Sequence, residues 1–193
     1  MDGENGKDCT IKNGISRTEL DSHANMVVLG RHSLVVANTG KTAQVSPFTP
    51  DYKSMENVPI VDGAIAYDCP YSGESYVLLC HNALHAPSME HNLIPPFIMR
   101  EAGMVVNDTP KIHAESPTEE HHSIFFKDEN LRIPLALHGV FLYFSSRHPS
   151  IHDMANDVEV LHLTPNVLTW NPHSEAYATC EDNMLDFQGS MMD

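Results

Sequence analysis

An Asp-Ser-x-Ala block near the start of the chain could supply a catalytic carboxylate. Asp21 follows the hydrophobic Leu20, and Ser22, His23 and Ala24 lead into an apolar run. We expect this aspartate in a tight turn at a strand end, where it can approach a second carboxylate. Two carboxylates about 3 Å apart cannot both ionise, so they share a proton and act as base and acid. The pattern therefore predicts that Asp21 is a catalytic carboxylate of a hydrolase. Ser22 would brace the turn by hydrogen bonding, and Ala24 would pack beneath it.

Short strands are the elements that would position Asp21. Apolar, often β-branched runs alternate with turn residues, and this pattern predicts an all-β barrel or sandwich. One helix is expected at residues 96–102, with Gly103 just after its end, and a weaker one at about 151–158. The expected strands are residues 26–29, 33–36, 42–45, 58–67, 76–80, 104–106, 123–126, 132–137 and 140–144.

Composition divides the chain into three parts. Residues 1–17 are polar and Gly-rich, and we interpret them as a disordered lead-in. Residues 18–149 carry the strand pattern of a single domain. Residues 150–193 are acidic, Met-rich and poor in strand signals. We interpret them as a linker-like tail, with a C-terminal helix packed on the domain as the alternative.

Charge, hydropathy and cysteine spacing bear on nucleic-acid binding, membrane insertion and the redox state of the chain. The chain has 11 basic and 26 acidic residues, which gives a formal net charge of −15. That sign repels phosphate backbones, so no direct nucleic-acid binding is expected. A membrane span would need about 18 consecutive apolar residues, and the sequence has no such run. The four cysteines form no CxxC pair, which favours reduced thiols in an intracellular compartment over a disulfide framework or zinc knuckle.

A second block connects Asp21 to a known family. Residues 82–95 contain an apolar pair, a Pro, a short polar stretch and then Asn92, Leu93 and Ile94. This block resembles the segment downstream of the protease motif in Ty1/copia-type retrotransposon Gag-Pol polyproteins. The similarity continues through a helix–Gly–strand segment at 99–106 and an apolar-Gly-Leu-Tyr strand at 137–144.

That resemblance to a retropepsin-like aspartic protease implies a closed barrel with a flap hairpin and one short helix. Asp21 would be the catalytic aspartate, and a single motif implies a homodimer with one aspartate from each subunit. Asn92, Leu93 and Ile94 would lie on the strand that supports the active-site loop. The flap would fall at about residues 47–70, with Asp62 and Gly63 as its hairpin turn. The implied substrate is a polyprotein peptide, cut without metal or cofactor in the cytoplasm or in virus-like particles.

His23 departs from the family pattern, because retropepsins usually have Gly at this position. Gly permits close backbone approach to the catalytic pair, whereas an imidazole is bulkier and titratable. Either the loop accommodates His23 pointing outward, or the site is altered or inactive. The alternative function is therefore a non-catalytic dimerisation or peptide-binding module with the same fold.

Other chemistries fit the sequence less well. Asp21 and Asp62 could form an internal pair, but the stretch between them is too short for a complete lobe each. Cys80 and His81 would point to opposite faces of a strand, and Pro87 excludes a helical His-x-x-x-His face nearby. We therefore expect no metal site. A Gly-x-Ser-x-Gly elbow is absent, and the one candidate phosphate loop lacks its first Gly.

Overall fold

The computed structural model describes residues 15–46, 51, 53–155, 158–165, 175, 179 and 183–192. The mainly β character that the sequence predicts is confirmed. Among the described residues, the one helix whose bounds are given is α1 (Pro96–Glu101), and two short 3-10 turns span Lys111–His113 and Glu119–His122; Glu175 and Thr179 are also helical. The strands are β1 (Ile15–Leu20), β2 (Val28–Leu29), β3 (Leu34–Val45), β4 (Met55–Asp68), β5 (Ser75–His85), β6 (Asn92–Ile94), β7 (Val105–Asn107), β8 (Ser123–Phe126), β9 (Leu131–Pro134), β10 (Ala136–His138), β11 (Phe141–Arg147) and β12 (Glu159–His162).

Nine of these strands form one large sheet. Its order is β10-β11-β1-β6-β2-β5-β4-β3, and β12 pairs with β5 beside this path. β11 also pairs with β4 through Arg147 and Ala66, which joins two distant points of the path into a ring. β7, β8 and β9 form a separate three-stranded sheet.

One hydrophobic core connects the two sheets. It contains Ile65 and Leu78 from the centre of the large sheet together with Ile124 and Ile133 from the small one, all fully buried. Residues 63–67 of β4 are all buried, because this strand is covered on both faces. No helix among the described residues is long and apolar enough to cross a membrane.

The helix prediction is confirmed at α1. Pro96 occupies its first turn, where a missing N–H costs nothing, and Gly103 follows the helix with φ +93°. The weaker helix expected at 151–158 is wrong over its first part: residues 151–154 form a turn instead. Residues 156 and 157 lie outside the described part of the chain.

Paired strands lie on both sides of the expected domain, residues 18–149. β1 begins at Ile15, inside the expected lead-in of residues 1–17, and pairs antiparallel with β11. Its inward side chains include Ser16 and Thr18, so its composition is typical of a loop although the strand is buried. β12, from the expected tail of residues 150–193, pairs parallel with β5, and Leu161 is buried there. The folded unit therefore includes residues on both sides of 18–149.

Candidate active site

Asp21 is the first residue after β1, in a turn at one end of the large sheet. Its backbone N–H donates to the Ile94 carbonyl oxygen at 3.1 Å, and its Oδ1 accepts the His23 N–H at 2.9 Å. The second bond is the local side chain–backbone contact that makes Asp a favoured turn residue. Asp21 is half-buried. Its carboxylate is thus fixed in orientation and reachable from outside the chain.

Three strands hold the loop that carries Asp21. β6 lies between β1 and β2, parallel to the first and antiparallel to the second. Leu20 pairs with Ile94, and Val28 pairs with Leu93, so the loop between β1 and β2 must cross the end of β6. The residues expected on the strand beneath the loop, Asn92 to Ile94, form β6.

A buried, uncharged hydrogen-bond network fixes these strands to one another. Asn92 is 1% exposed, and its Oδ1 accepts the Gly30 N–H at 2.9 Å. Its Nδ2 donates to the Thr18 hydroxyl at 3.1 Å and the Ser146 hydroxyl at 3.4 Å. Sequence reasoning missed Thr18, Gly30 and Ser146, since isolated hydroxyls and a glycine have no diagnostic spacing. One amide therefore connects β6 to β1, to β11 and to the residue after β2.

The rest of the Asp-Ser-x-Ala block is mostly at the surface. Ser22 and His23 are exposed, and Ala24 is half-buried. The Ser22 hydroxyl lies 3.4 Å from His23 Nδ1. The side chain that accepts a hydrogen bond from the turn backbone is that of Asp21, from the His23 N–H. The imidazole of His23 lies in solvent.

The predicted flap turn at Asp62-Gly63 is wrong. Both residues lie inside β4, at an irregularity in its pairing with β5. Asp62 Oδ1 accepts the N–H of Asn82, which has φ +52°, so the Asp-Gly pair serves a β-bulge and does not reverse the chain. β3 and β4 pair antiparallel from Val45 and Met55 onward, and residues 47–50 and 52 between these strands lie outside the described residues.

Two glycines allow close packing around β2, the strand that leaves the Asp21 loop. A Cβ on Gly63 would overlap the side chain of Leu29, which is 1% exposed. A Cβ on Gly30 would lie 2.7 Å from the carbonyl oxygens of His91 and Met89. A larger residue at Gly30 would collide with backbone and push the end of β2 out of place, whereas at Gly63 the side chain of Leu29 would have to move.

The thiol of Cys80 and the imidazoles of His81 and His162 lie on β5 and β12, away from the Asp21 turn in sequence. Among the described residues, no group of three or more His, Cys, Asp or Glu side chains could hold a metal ion. Burial raises the pKa of the Cys80 thiol to about 12, so it stays protonated in the core. His81, on the other face of β5, stacks on His162 with 5.2 Å between ring centroids and 3.1 Å between Nε2 and Nδ1. Burial, and then the charge of His81, lower the pKa of His162.

The arrangement at Asp21 provides one oriented, accessible carboxylate at the end of a strand. Alone it can accept a proton from water. A proton-sharing pair requires a second carboxylate at about 3 Å, which a second copy of the chain could supply. The chain matches no family model, no curated protein and no solved structure.

Proposed function

We propose that this chain is a retropepsin-like aspartic endopeptidase domain of a copia-type retrotransposon polyprotein, with Asp21 as its catalytic aspartate. The position of Asp21 is the observation that carries the proposal. It follows β1 directly and is hydrogen-bonded to β6, which lies between β1 and β2. The strands hold the Asp21 backbone, the His23 N–H orients its carboxylate, and the carboxylate is still open to a partner, as a shared catalytic pair requires.

In the proposed mechanism, two copies of Asp21 form one pair across a homodimer and share one proton. The ionised carboxylate takes a proton from a water molecule, whose oxygen attacks the scissile carbonyl carbon, while the protonated carboxyl gives its proton to the carbonyl oxygen. The tetrahedral intermediate then collapses. A proton passes to the peptide nitrogen, and the C–N bond breaks. This sequence of steps uses no metal or cofactor.

The large sheet suggests how a peptide would be held. The pairing of β11 with β4 supports a closed, retropepsin-like barrel, and the β3–β4 hairpin is the proposed flap. Such a flap would bind an extended peptide through main-chain hydrogen bonds. The proposed substrates are junctions of the chain's own polyprotein, cut in the cytoplasm or in virus-like particles.

His23 is the observation that favours the second candidate, a non-catalytic dimerisation or peptide-binding module. Its N–H closes the Asp21 turn, and its imidazole is exposed where the family usually has Gly. A side chain at this position occupies space that a substrate backbone would need. The two candidates differ in one result: only the protease cuts the peptide that it binds.

Asp21→Asn tests the proposal. We expect the variant to cut a polyprotein-junction peptide roughly 10²–10⁴-fold more slowly than the wild type, because Asn cannot transfer the proton. The wild-type reaction should be blocked by pepstatin. Asp128→Asn is the matched control, since Asp128 is exposed in the turn between β8 and β9. Equal cleavage by Asp21→Asn and wild type would remove Asp21 from the mechanism, and binding without cleavage by the wild type would favour the module.

A further inference from the structure

The turn between β4 and β5 begins at a free thiol, Cys69. The Cys69 N–H donates to the Glu74 carbonyl oxygen at 2.8 Å, and the Cys69 carbonyl oxygen accepts the Gly73 N–H at 2.9 Å. Residues 70–74 are exposed, whereas Cys69 is 6% exposed and packs with the hydrophobic core. The thiol therefore lies at the outer end of the core, next to an exposed turn.

The turn directs hydrogen-bond donors at the Cys69 sulfur. The Ser72 hydroxyl and the N–H groups of Ser72 and Tyr71 donate to it. Burial opposes ionisation of the thiol, but these hydrogen bonds outweigh burial and lower the pKa of Cys69 below its usual value. Since the thiolate is the nucleophilic form of cysteine, Cys69 is more reactive than an ordinary buried thiol.

A second polar group, the Tyr67 hydroxyl, faces the same thiol. Tyr67 is 4% exposed, and its ring makes an edge contact with Phe144 at 6.2 Å between centroids. Its Oη makes no hydrogen bond of ordinary geometry within the described part of the chain. Burial, and then the charge of Cys69, hold the pKa of Tyr67 far above its usual range. The hydroxyl therefore stays protonated beside the sulfur, as a buried donor without an acceptor.

Cys80 is a second buried thiol without this environment. It is 1% exposed, and burial raises its pKa to about 12. Cys80 pairs with Gly63, so Cys69 lies six residues farther along the β4–β5 ladder, roughly 20 Å away. A disulfide requires Cα atoms within about 7 Å of each other. Oxidation of Cys69 is therefore not followed by a disulfide to Cys80.

We propose that Cys69 is a modification site for hydrogen peroxide, which oxidises its thiolate to a sulfenic acid beside the Tyr67 hydroxyl. The sulfur attacks one peroxide oxygen, so an S–O bond forms and the O–O bond breaks. Sulfur loses two electrons, and the peroxide gains them. The second oxygen leaves as hydroxide and takes a proton from solvent, which gives water. The Tyr67 hydroxyl donates to the new sulfenic oxygen, which is the acceptor that it lacks in the reduced chain.

Trapping of the sulfenic acid in the full chain tests this site. Cys9 and Cys180, which lie outside the described residues, are replaced by Ser, so that Cys69 and Cys80 are the remaining thiols. Hydrogen peroxide is added at pH 7 with dimedone, which reacts with sulfenic acids, and peptide mass spectrometry measures the label at each cysteine. We expect Cys69 to be labelled at least about tenfold faster than Cys80, because its thiolate is more populated. In the urea-unfolded chain the two rates should agree within about twofold, because both thiols are then solvated.

Two variants test the groups around the sulfur. Tyr67→Phe keeps the ring and removes the hydroxyl, and it should slow labelling of Cys69 about threefold or more, because one hydrogen bond to the reacting group is lost. Ser72→Ala should move the pH profile of Cys69 alkylation by iodoacetamide to higher pH, because the thiolate loses a donor. Ser88→Ala is the matched control, since Ser88 is exposed on the connection between β5 and β6 and should change neither readout. Circular dichroism establishes that each variant is folded.

Three results would overturn the site. The first is a folded chain in which Cys69 takes up no label. The second is equal labelling of Cys69 and Cys80 in the folded chain. The third is a pair of folded variants, Tyr67→Phe and Ser72→Ala, that both behave as the Ser88→Ala control does. Cleavage of peptides by the chain has no bearing on any of these outcomes, so the site stands or falls separately from the endopeptidase.

Discussion

Two neighbouring residues of β11 belong to different polar clusters, one uncharged and one made of ion pairs. Ser146 is 3% exposed and joins the uncharged network of Asn92 beneath the Asp21 loop. Arg147 points to the other face and binds two carboxylates. Its Nε and Nη2 donate to Asp68 at 2.8 Å, and its Nη1 and Nη2 donate to Asp153 at 2.6 and 2.9 Å.

The Asn92 network supports the Asp21 loop, whereas the Arg147 cluster attaches the segment that follows β11 to the sheet. The Asn92 network contains no ionisable group, so its strength does not change with pH. The Arg147 cluster holds the turn at residues 150–153, where Ser150 also donates to Asp153. The hydrogen bond from Arg147 is the main reason that the pKa of Asp153 and that of Asp68 are lowered. Acid should therefore loosen the C-terminal attachment before it affects the support of the site.

Asn92→Ala should give the largest loss. It leaves the buried Gly30 N–H without its acceptor and opens a small cavity, so we expect the free energy of unfolding to fall by about 2–4 kcal/mol. Urea denaturation at pH 7 measures this change. Asn92→Asp is the informative companion, because it keeps an acceptor for Gly30 but buries a charge, and it should be at least as destabilising. A loss under about 1 kcal/mol for Asn92→Ala would mean that the network does not hold the loop.

Arg147→Met should cost about 2 kcal/mol at pH 7, because it leaves Asp153, 4% exposed, with only its bonds to Ser150. Methionine keeps much of the apolar stem, so the change isolates the guanidinium. Hydrogen exchange of residues 150–155 should accelerate more than that of β6. Equal acceleration in both places would show that the two clusters are not independent.

Asp68→Asn should have the smallest effect. The Asp68 side chain is 56% exposed, so solvent screens its ion pair, and we expect a loss under about 1 kcal/mol at pH 7. The folded pKa of Asp68 is lowered, so its contribution is present above the unfolded value of about 4 and disappears as pH falls through the folded value. Unfolding curves of wild type and variant should therefore converge in acid. A gap that widens below pH 4 would have the wrong sign for this mechanism.

Strands with strong local patterns were predictable, whereas the use of turn residues was not. Asn38, Thr39 and Gly40 separate two expected strands, but in the structure they form an irregularity within the single strand β3. Asn38 Oδ1 accepts the Gly40 N–H at 2.8 Å, and Gly40 has φ +74°. The same local geometry serves a hairpin turn or a bulge. Long-range pairing with β4 decides between them, and no short window of sequence contains that information.

The short strands depend even more on distant partners. β12 has only four residues, and its one buried side chain, Leu161, is placed by parallel pairing with β5, more than 70 residues earlier. β1 is polar on its buried face because Thr18 meets Ser146, and neither hydroxyl suggests a core position by itself. β6 could be expected only from the family resemblance. The place of Asp21 at a strand end was predictable because its position before an apolar run is a local property, whereas the strand beneath it is not.

The alternation of Ser146 and Arg147 has a consequence for folding fidelity. A slip of β11 by one residue against β1 would turn every side chain of the strand to the opposite face. Arg147 would then enter the hydroxyl cluster without a carboxylate, and Ser146 would face Asp68 and Asp153 without a positive charge. Misaligned pairings are thus penalised twice. The correct alignment of β11 with β1 also determines which residues of the β10–β11 hairpin lie beside Asp21.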